Sequence, residues 1–213
     1  MIKALITDFG GVLMRTSTDA ARSALERRLN LAPHTVDDRV FSCEMSQRAM
    51  RGEIGEAALW QYLEVDLDLA RYGLTWQEFY REFFAEDFLD EELMTLIRSV
   101  RPGVKTGLIS NAWDDLREVL QTRVPIADAF DVIVISAEEK VMKPDARIYR
   151  AALDRLGVQP PEAIFLDDFI ENVHAANALG LLGVHFQSSA QAQRDIRSLL
   201  DGAALWGRNM NGS

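Results

Sequence analysis

Residues 2–12 read I-K-A-L-I-T-D-F-G-G-V, a short apolar run that ends on one carboxylate, Asp8, and passes at once into the pair Gly10 and Gly11. The succession Ala4, Leu5, Ile6, Thr7 predicts a strand buried on both faces, as parallel sheets require. Open α/β sheets bind ligands in the crevice beyond the carboxyl ends of their strands, so Asp8 stands where such a fold does its chemistry. The glycines permit a tight turn and close approach of backbone to ligand. Taken alone, an aspartate that merely caps a turn reads equally well.

Working outward, four more short apolar runs predict strands at 105–109, 132–135, 164–166 and 183–186. Between them lie helical patterns at 114–121, 146–156 and 171–179, with Gly157 placed as a helix-ending glycine, and one more amphipathic helix follows at 188–200. Residues 209–213 read as a frayed tail. Strands alternating with helices imply βαβ units, hence an α/β, Rossmann-like parallel sheet.

Residues 16–100 break that alternation. Apolar residues recur at helical spacing over 20–29, 40–50, 54–62, 76–84 and 91–100, with no convincing buried strand. This stretch reads as a helical cap inserted after the first strand, placed to cover the carboxyl edge of the sheet. Arg101-Pro102-Gly103 marks the return, which gives a core of 1–15 and 101–213 and a cap of 16–100.

With 213 residues, 48% of them hydrophobic, the chain can build a core of real size. A net charge of −10 and the lack of any long Lys/Arg run argue against nucleic acid or an anionic membrane as the main partner, while a locally positive pocket for a small anion stays open. The single cysteine, Cys43, permits no intramolecular disulfide and reads as a packed thiol of a reducing compartment. No signal-peptide pattern opens the sequence and no run approaches the roughly 20 apolar residues of a membrane span, so a cytoplasmic protein is expected.

A second acidic pair, Asp167-Asp168, ends the strand at 164–166. If that strand lies beside the first, three carboxylates meet at one edge and repel one another unless a cation neutralises them. A hard divalent ion with oxygen ligands, Mg²⁺, answers that need, and the competing reading is that Asp168 caps the next helix. Ser110-Asn111 closes the strand at 105–109, where a hydroxyl and backbone amides suit phosphoryl oxygens, or a helix cap. Lys143, one of only four lysines, precedes Pro144; its compact charge suits a phosphoryl group flanked by carboxylates.

In order, D-F-G-G-V, L-I-S-N, K-P-D-A-R-I-Y and F-L-D-D-F-I-E-N-V resemble the four motifs of the haloacid dehalogenase-like hydrolase superfamily, over residues 8–173. Together with R-G-E-I at 51–54, the S-N pair looks most like the branch that includes the amino-terminal phosphatase domain of soluble epoxide hydrolases and bacterial sugar-phosphate phosphatases. The resemblance implies that Asp8 is a nucleophile forming an aspartyl-phosphate, that Ser110, Asn111 and Lys143 hold the phosphoryl group, and that Mg²⁺ is held by Asp8, the Gly10 carbonyl, Asp167 and Asp168. Asn172 falls where many relatives carry an aspartate that orients the lysine. A small phosphorylated metabolite is the implied substrate.

Gly10 departs from the pattern. Most phosphatases of the superfamily have there an aspartate that protonates the leaving group and activates water, a contribution of about 10²- to 10⁴-fold. A 2-haloacid dehalogenase is one alternative, since Asp8 would attack carbon without a metal, but Asp167-Asp168 would repel its anionic substrate. A phosphonate-cleaving relative needs a cap lysine, and none lies between Lys3 and Lys105. A catalytically weak or inactive binding protein of the same fold is the other alternative. Arg15, Arg48, Arg51, Trp60 and Tyr62 are candidates to reach a substrate from the cap, each explained as well by surface charge or packing. His34, His174 and His185 suggest no metal cluster.

Overall fold

The computed structural model describes residues 1–210. Five parallel strands form the central sheet: β1 (Ala4–Thr7), β4 (Lys105–Ser110), β5 (Val132–Ile135), β6 (Ala163–Asp167) and β7 (Leu182–His185), in the order β5-β4-β1-β6-β7. They fall within a residue or two of the expected positions. A two-stranded antiparallel ribbon, β2 (Met14–Thr16) with β3 (Asp87–Leu89), stands apart. The helices are α1 (Ala20–Leu29), α2 (Thr35–Asp37), α3 (Glu44–Met50), α4 (Glu56–Asp66), α5 (Trp76–Phe83), α6 (Glu91–Val100), α7 (Leu116–Thr122), α8 (Ser136–Glu139), α9 (Ala146–Leu156), α10 (Ile170–Ala178) and α11 (Ser189–Met210).

Strand alternation sends side chains to two separate cores. Leu5, Leu108, Ile164, Leu166 and Ile135 face one side and pack with α6, α7 and α11; Ala4, Ile6, Ile109, Val134 and Phe165 face the other and pack with α9 and α10. Both faces are therefore covered, and the all-buried pattern of β1 follows from its central place. Strands β4 and β5 lie to one side of β1 and β6 and β7 to the other, so the order reverses at β1 and opens a crevice at its carboxyl end. Gly157, at φ +66°, closes α9 in the left-handed region as expected.

Around α1, α3, α4 and α5 a third core gathers Leu25, Leu29, Val36, Leu59, Trp60, Leu63, Phe79 and Phe83. Helix α6, assigned by sequence to the same insertion, instead packs on the sheet through Leu93, Met94, Leu96 and Ile97. Its amphipathic stripe records that one face is buried but not against what. The ribbon also escaped the sequence reading, because three half-buried residues per strand are too few to show a period of two. It ties the entry and exit of the insertion together, with Thr16 Oγ1 donating to Asp87 Oδ1 at 2.7 Å and Arg22 bridging Asp37 and Asp87.

The expected helix over 40–50 is divided: a π-turn spans Asp38–Ser42, and α3 starts after Cys43, whose sulfur accepts the Ser46 N–H at 3.4 Å. The thiol thus serves as a helix cap. The expected tail at 209–213 begins inside α11, and 211–213 lie outside the described residues. Among the described residues no helix is long and apolar enough to cross a membrane.

Candidate functional site

Because β1 pairs with β4 on one side and β6 on the other, Asp8 emerges level with Ile109 and Asp167, with Ser110 one residue further along β4. The Asp8 N–H still bonds the Leu166 carbonyl at 2.8 Å, so the ladder fixes its backbone one residue past the strand. Lys143 arrives from the segment between α8 and α9 and lies between two carboxylates, Nζ at 2.8 Å from Asp8 Oδ1 and 2.7 Å from Asp167 Oδ2. Its third donor meets the Ile109 carbonyl at 3.1 Å. All three ammonium hydrogens are used, and the three residues are at most 6% exposed.

Asp167 is satisfied on both oxygens. While Oδ2 takes Lys143, Oδ1 accepts the Phe169 N–H at 2.8 Å and the Asn172 Nδ2–H at 2.9 Å. Asp168 differs: its Oδ1 is buried with no hydrogen-bond partner. Nor does it cap α10, since the carboxylate that meets the backbone there is that of Asp167. One oxygen from each of Asp8, Asp167 and Asp168 can be chosen so that all lie within 4.8 Å of one another.

Two loops close the arrangement. Gly11 turns at φ +78°, and a Cβ there would collide with the Asp168 carboxylate, so only glycine lets the first loop lie against the second. Gly10 is different: a Cβ on it would meet nothing within 4 Å. On the other side, Asn111 spans to the lysine loop, with Nδ2 donating to the Lys143 carbonyl at 2.9 Å and Oδ1 accepting the Lys143 N–H at 2.8 Å. Expected among the phosphate-binding residues, Asn111 has its carboxamide committed to holding Lys143 in place. Ser110 is buried at the end of β4, one residue beyond the level of Asp8.

The chain's own charges do not balance. Three carboxylates face one ammonium, and burial, opposed by Lys143 and reinforced by Asp167 and Asp168, lifts the Asp8 carboxyl to about 7. Burial, then Asp167, also raises Asp168. For Lys143 burial disfavours the charge, but Asp8 and Asp167 together outweigh it and the ammonium is held more firmly than usual. A small divalent cation with oxygen ligands would relieve the excess and occupy the unpartnered Asp168 Oδ1, so the residues present fit Mg²⁺. Asp8, Asp167, Asp168 and the Gly10 carbonyl, which accepts no backbone hydrogen bond among the described residues, are the candidate ligands.

Two contributors were not visible in the sequence. Tyr149 Oη donates to the Asn172 carbonyl at 3.0 Å, and His185 Nε2–H donates to the Asp168 carbonyl at 2.9 Å. For His185 the placement follows from the register that pairs it with Asp167, which the sequence does not show. The cap candidates are engaged elsewhere. Trp60 is fully buried, Arg15 pairs with Asp90, Arg48 and Arg51 pair with Glu53, and the Tyr62 hydroxyl bonds Asp66.

The loop after β4 reaches into the apolar cluster of the inserted helices next to the site. Trp113, two residues past Asn111, is buried in the cap's aromatic cluster, stacked on Phe41 at 6.1 Å and edge-on to Trp60 at 5.4 Å. Asp114 Oδ1 accepts the Glu56 N–H that opens α4 at 2.9 Å, and Arg123 donates to Tyr80 Oη at 2.8 Å. The start of α4 at Glu56 rather than Ile54 follows from that cap.

Residues 2–180 match the family model of the haloacid dehalogenase-like hydrolases. The rat protein named bifunctional epoxide hydrolase 2 is 30% identical over 103 residues, covering 46% of this chain and 19% of that protein. Sesquiterpene phosphatase astK of Aspergillus oryzae is 40% identical over 116 residues, 52% of this chain and 57% of that one. The chain thus spans from a fifth to little more than half of these relatives. A Bacteroides thetaiotaomicron enzyme of the family, solved with magnesium and inorganic phosphate, superposes with a TM-score of 0.69 at 21% identity, covering 89% of this chain and 96% of that one. An L-2-haloacid dehalogenase from Xanthobacter autotrophicus gives 0.61 at 20% identity over 93% and 83%. At such identities the structures share the fold.

Proposed function

The chain belongs to the haloacid dehalogenase-like hydrolases, and from that premise we propose that it is a Mg²⁺-dependent phosphatase of a small phosphorylated metabolite, working through an aspartyl-phosphate on Asp8. The observation that carries the reading is the partnerless Asp168 Oδ1 among three converging carboxylates, because it asks for a cation where a phosphoryl group would be transferred. Relatives named as phosphatases and a magnesium- and phosphate-bound neighbour support the same chemistry.

Each residue has a task. Asp8 attacks phosphorus; the Lys143 ammonium at its carboxylate and the Ser110 hydroxyl at the end of the neighbouring strand are placed to meet the transferred oxygens. Asp167, held by Asn172 and the Phe169 N–H, fixes the Lys143 ammonium beside the nucleophile. Mg²⁺, when bound by Asp8, Asp168, the Gly10 carbonyl and Asp167 directly or through water, supplies charge neutralisation for the anionic site and substrate. Asn111 keeps Lys143 from drifting, and Trp113 ties the inserted helices to the loop that follows Asn111.

A haloacid substrate would bring a carboxylate toward Asp167 and Asp168, which disfavours the dehalogenase alternative. The test is hydrolysis of 4-nitrophenyl phosphate with Mg²⁺ and after chelation, by the native chain and Asp8→Asn. Turnover that requires both Mg²⁺ and Asp8 is expected. A folded protein with no turnover in Mg²⁺, or an active Asp8→Asn, would sink the reading.

A further inference from the structure

In an in-line phosphoryl transfer the leaving oxygen departs on the side of phosphorus opposite the attacking carboxylate. The ionisable groups that converge on Asp8 among the described residues are Lys143, Asp167 and Asp168, and none has a proton to offer there. Lys143 has its three hydrogens on Asp8, Asp167 and the Ile109 carbonyl, within 3.1 Å, on the attacking side. Asp167 is an acceptor on both oxygens, and Asp168 is turned toward Gly11, its Oδ1 free for a cation. The loop that follows the nucleophile and faces the crevice contributes Gly10, which has no side chain, although there is open space where a Cβ would stand.

From this inventory we infer that the site selects phosphoryl donors whose leaving oxygen is a weak base: acyl phosphates or phosphoanhydrides, rather than phosphates of simple alcohols. The inference rests on the phosphatase reading above and narrows its substrate class. In the first step the Asp8 carboxylate forms a bond to phosphorus while the bond to the leaving oxygen breaks. The electron pair goes with that oxygen, which takes a proton from bulk water after it departs. In the second step water attacks phosphorus and the Asp8–phosphorus bond breaks. The carboxylate is regenerated, inorganic phosphate leaves, and the proton of the attacking water passes to phosphate or solvent. General acid help is typically worth about 10² to 10⁴ in rate, and a leaving group that stabilises its own charge does not need it.

The experiment measures kcat/KM at saturating Mg²⁺ and fixed pH for 4-nitrophenyl, phenyl and alkyl phosphates, and for acetyl phosphate against glycerol 3-phosphate. The native chain should lose at least about 10²-fold from 4-nitrophenyl to phenyl phosphate and prefer acetyl phosphate by a similar factor. Gly10→Asp, which the open space accommodates, should reduce that loss to under about tenfold by supplying the acid, while Gly10→Asn, of the same shape without a proton, should keep the native slope. A native slope that is flat, or a steep one that Gly10→Asp leaves unchanged, overturns the inference while the phosphatase reading stands. No hydrolysis of 4-nitrophenyl phosphate or acetyl phosphate overturns both.

Discussion

At the carboxyl edge of the sheet, Asp8, Asp167 and Lys143 are at most 6% exposed, and each is fixed by two or more contacts. Across the seam in the cap, Arg51 reaches Glu44 and Glu53 with 35% of its side chain exposed, and Arg48 meets Glu53 with 41% exposed. Both regions are built from opposite charges within 3.2 Å, yet the physical consequences diverge. A buried charge cannot fall back on water, so each edge residue depends on the others. A surface pair exchanges one solvated state for another and contributes little. The inserted helices are held instead by apolar surface, and Trp113 is one of the points where the two regimes touch.

The largest expected effect comes from breaking the buried set. Lys143→Met removes the one ammonium among three carboxylates and leaves Asp8 and Asp167 uncompensated, which should cost about 3–5 kcal/mol of stability near pH 8 in the presence of a chelator. On the proposed phosphatase chemistry, in which the same group meets the transferred phosphoryl, turnover should fall by more than about 10³-fold. Urea denaturation with and without Mg²⁺ reads the first effect and 4-nitrophenyl phosphate hydrolysis the second. Near-native values for both would mean that the edge behaves like the cap.

Next in size is the seam. Trp113→Ala empties a position stacked on Phe41 and edge-on to Trp60, and should cost about 3 kcal/mol or more. Because Asn111, two residues away, holds Lys143, the substitution should also lower kcat/KM while Asp8 and its partners remain in place. An unchanged midpoint of urea denaturation would show that the indole is not what joins core to cap.

How much of this could be read beforehand follows the same division. Strands β1, β4 and β6 are continuous apolar runs ending on Asp8, Ser110 and Asp167, so periodicity and strand-end chemistry exposed the fold and most of the edge at once. Long-range destinations were not encoded locally. Nothing in Ala112-Trp113 says that the indole crosses into another core, nothing in the stripe of α6 says that it leaves the cap for the sheet, and neither Tyr149 nor His185 sits in a spacing that announces a bond to Asn172 or Asp168. Cys43 as a cap and the β2–β3 ribbon are features of one turn or three residues, below what any period can reveal.

A smaller effect should appear in the pH dependence of the seam. Burial, reinforced by Asp115 and Asp114 and eased by Arg123, raises the Glu56 carboxyl from 4.5 to about 7. A carboxyl whose folded value is raised binds its proton more tightly when folded, so its contribution is fully present below about pH 4.5 and is lost as pH climbs through 7. Glu56→Gln, neutral throughout, should therefore flatten this decline and give a higher Tm than the native chain at pH 8, with little difference near pH 5. A native chain that gains stability over the variant between pH 5 and 8 would contradict the sign.

The smallest expected effect is the one that separates the two regions most cleanly. Arg51 carries the R-G-E-I resemblance and points to substrate binding on sequence grounds, but in the structure its guanidinium is spent on Glu44 and Glu53 at the cap surface. Hydrogen bonds to Glu53 and Glu44 raise its pKa, which only reinforces a charge that arginine keeps in any case. Arg51→Ala should leave Tm and kcat/KM indistinguishable from native, measured on the preferred ester of the leaving-group series. If KM rises severalfold while kcat holds, the guanidinium leaves its surface partners to meet the substrate, and the inserted helices then contribute charge to the site.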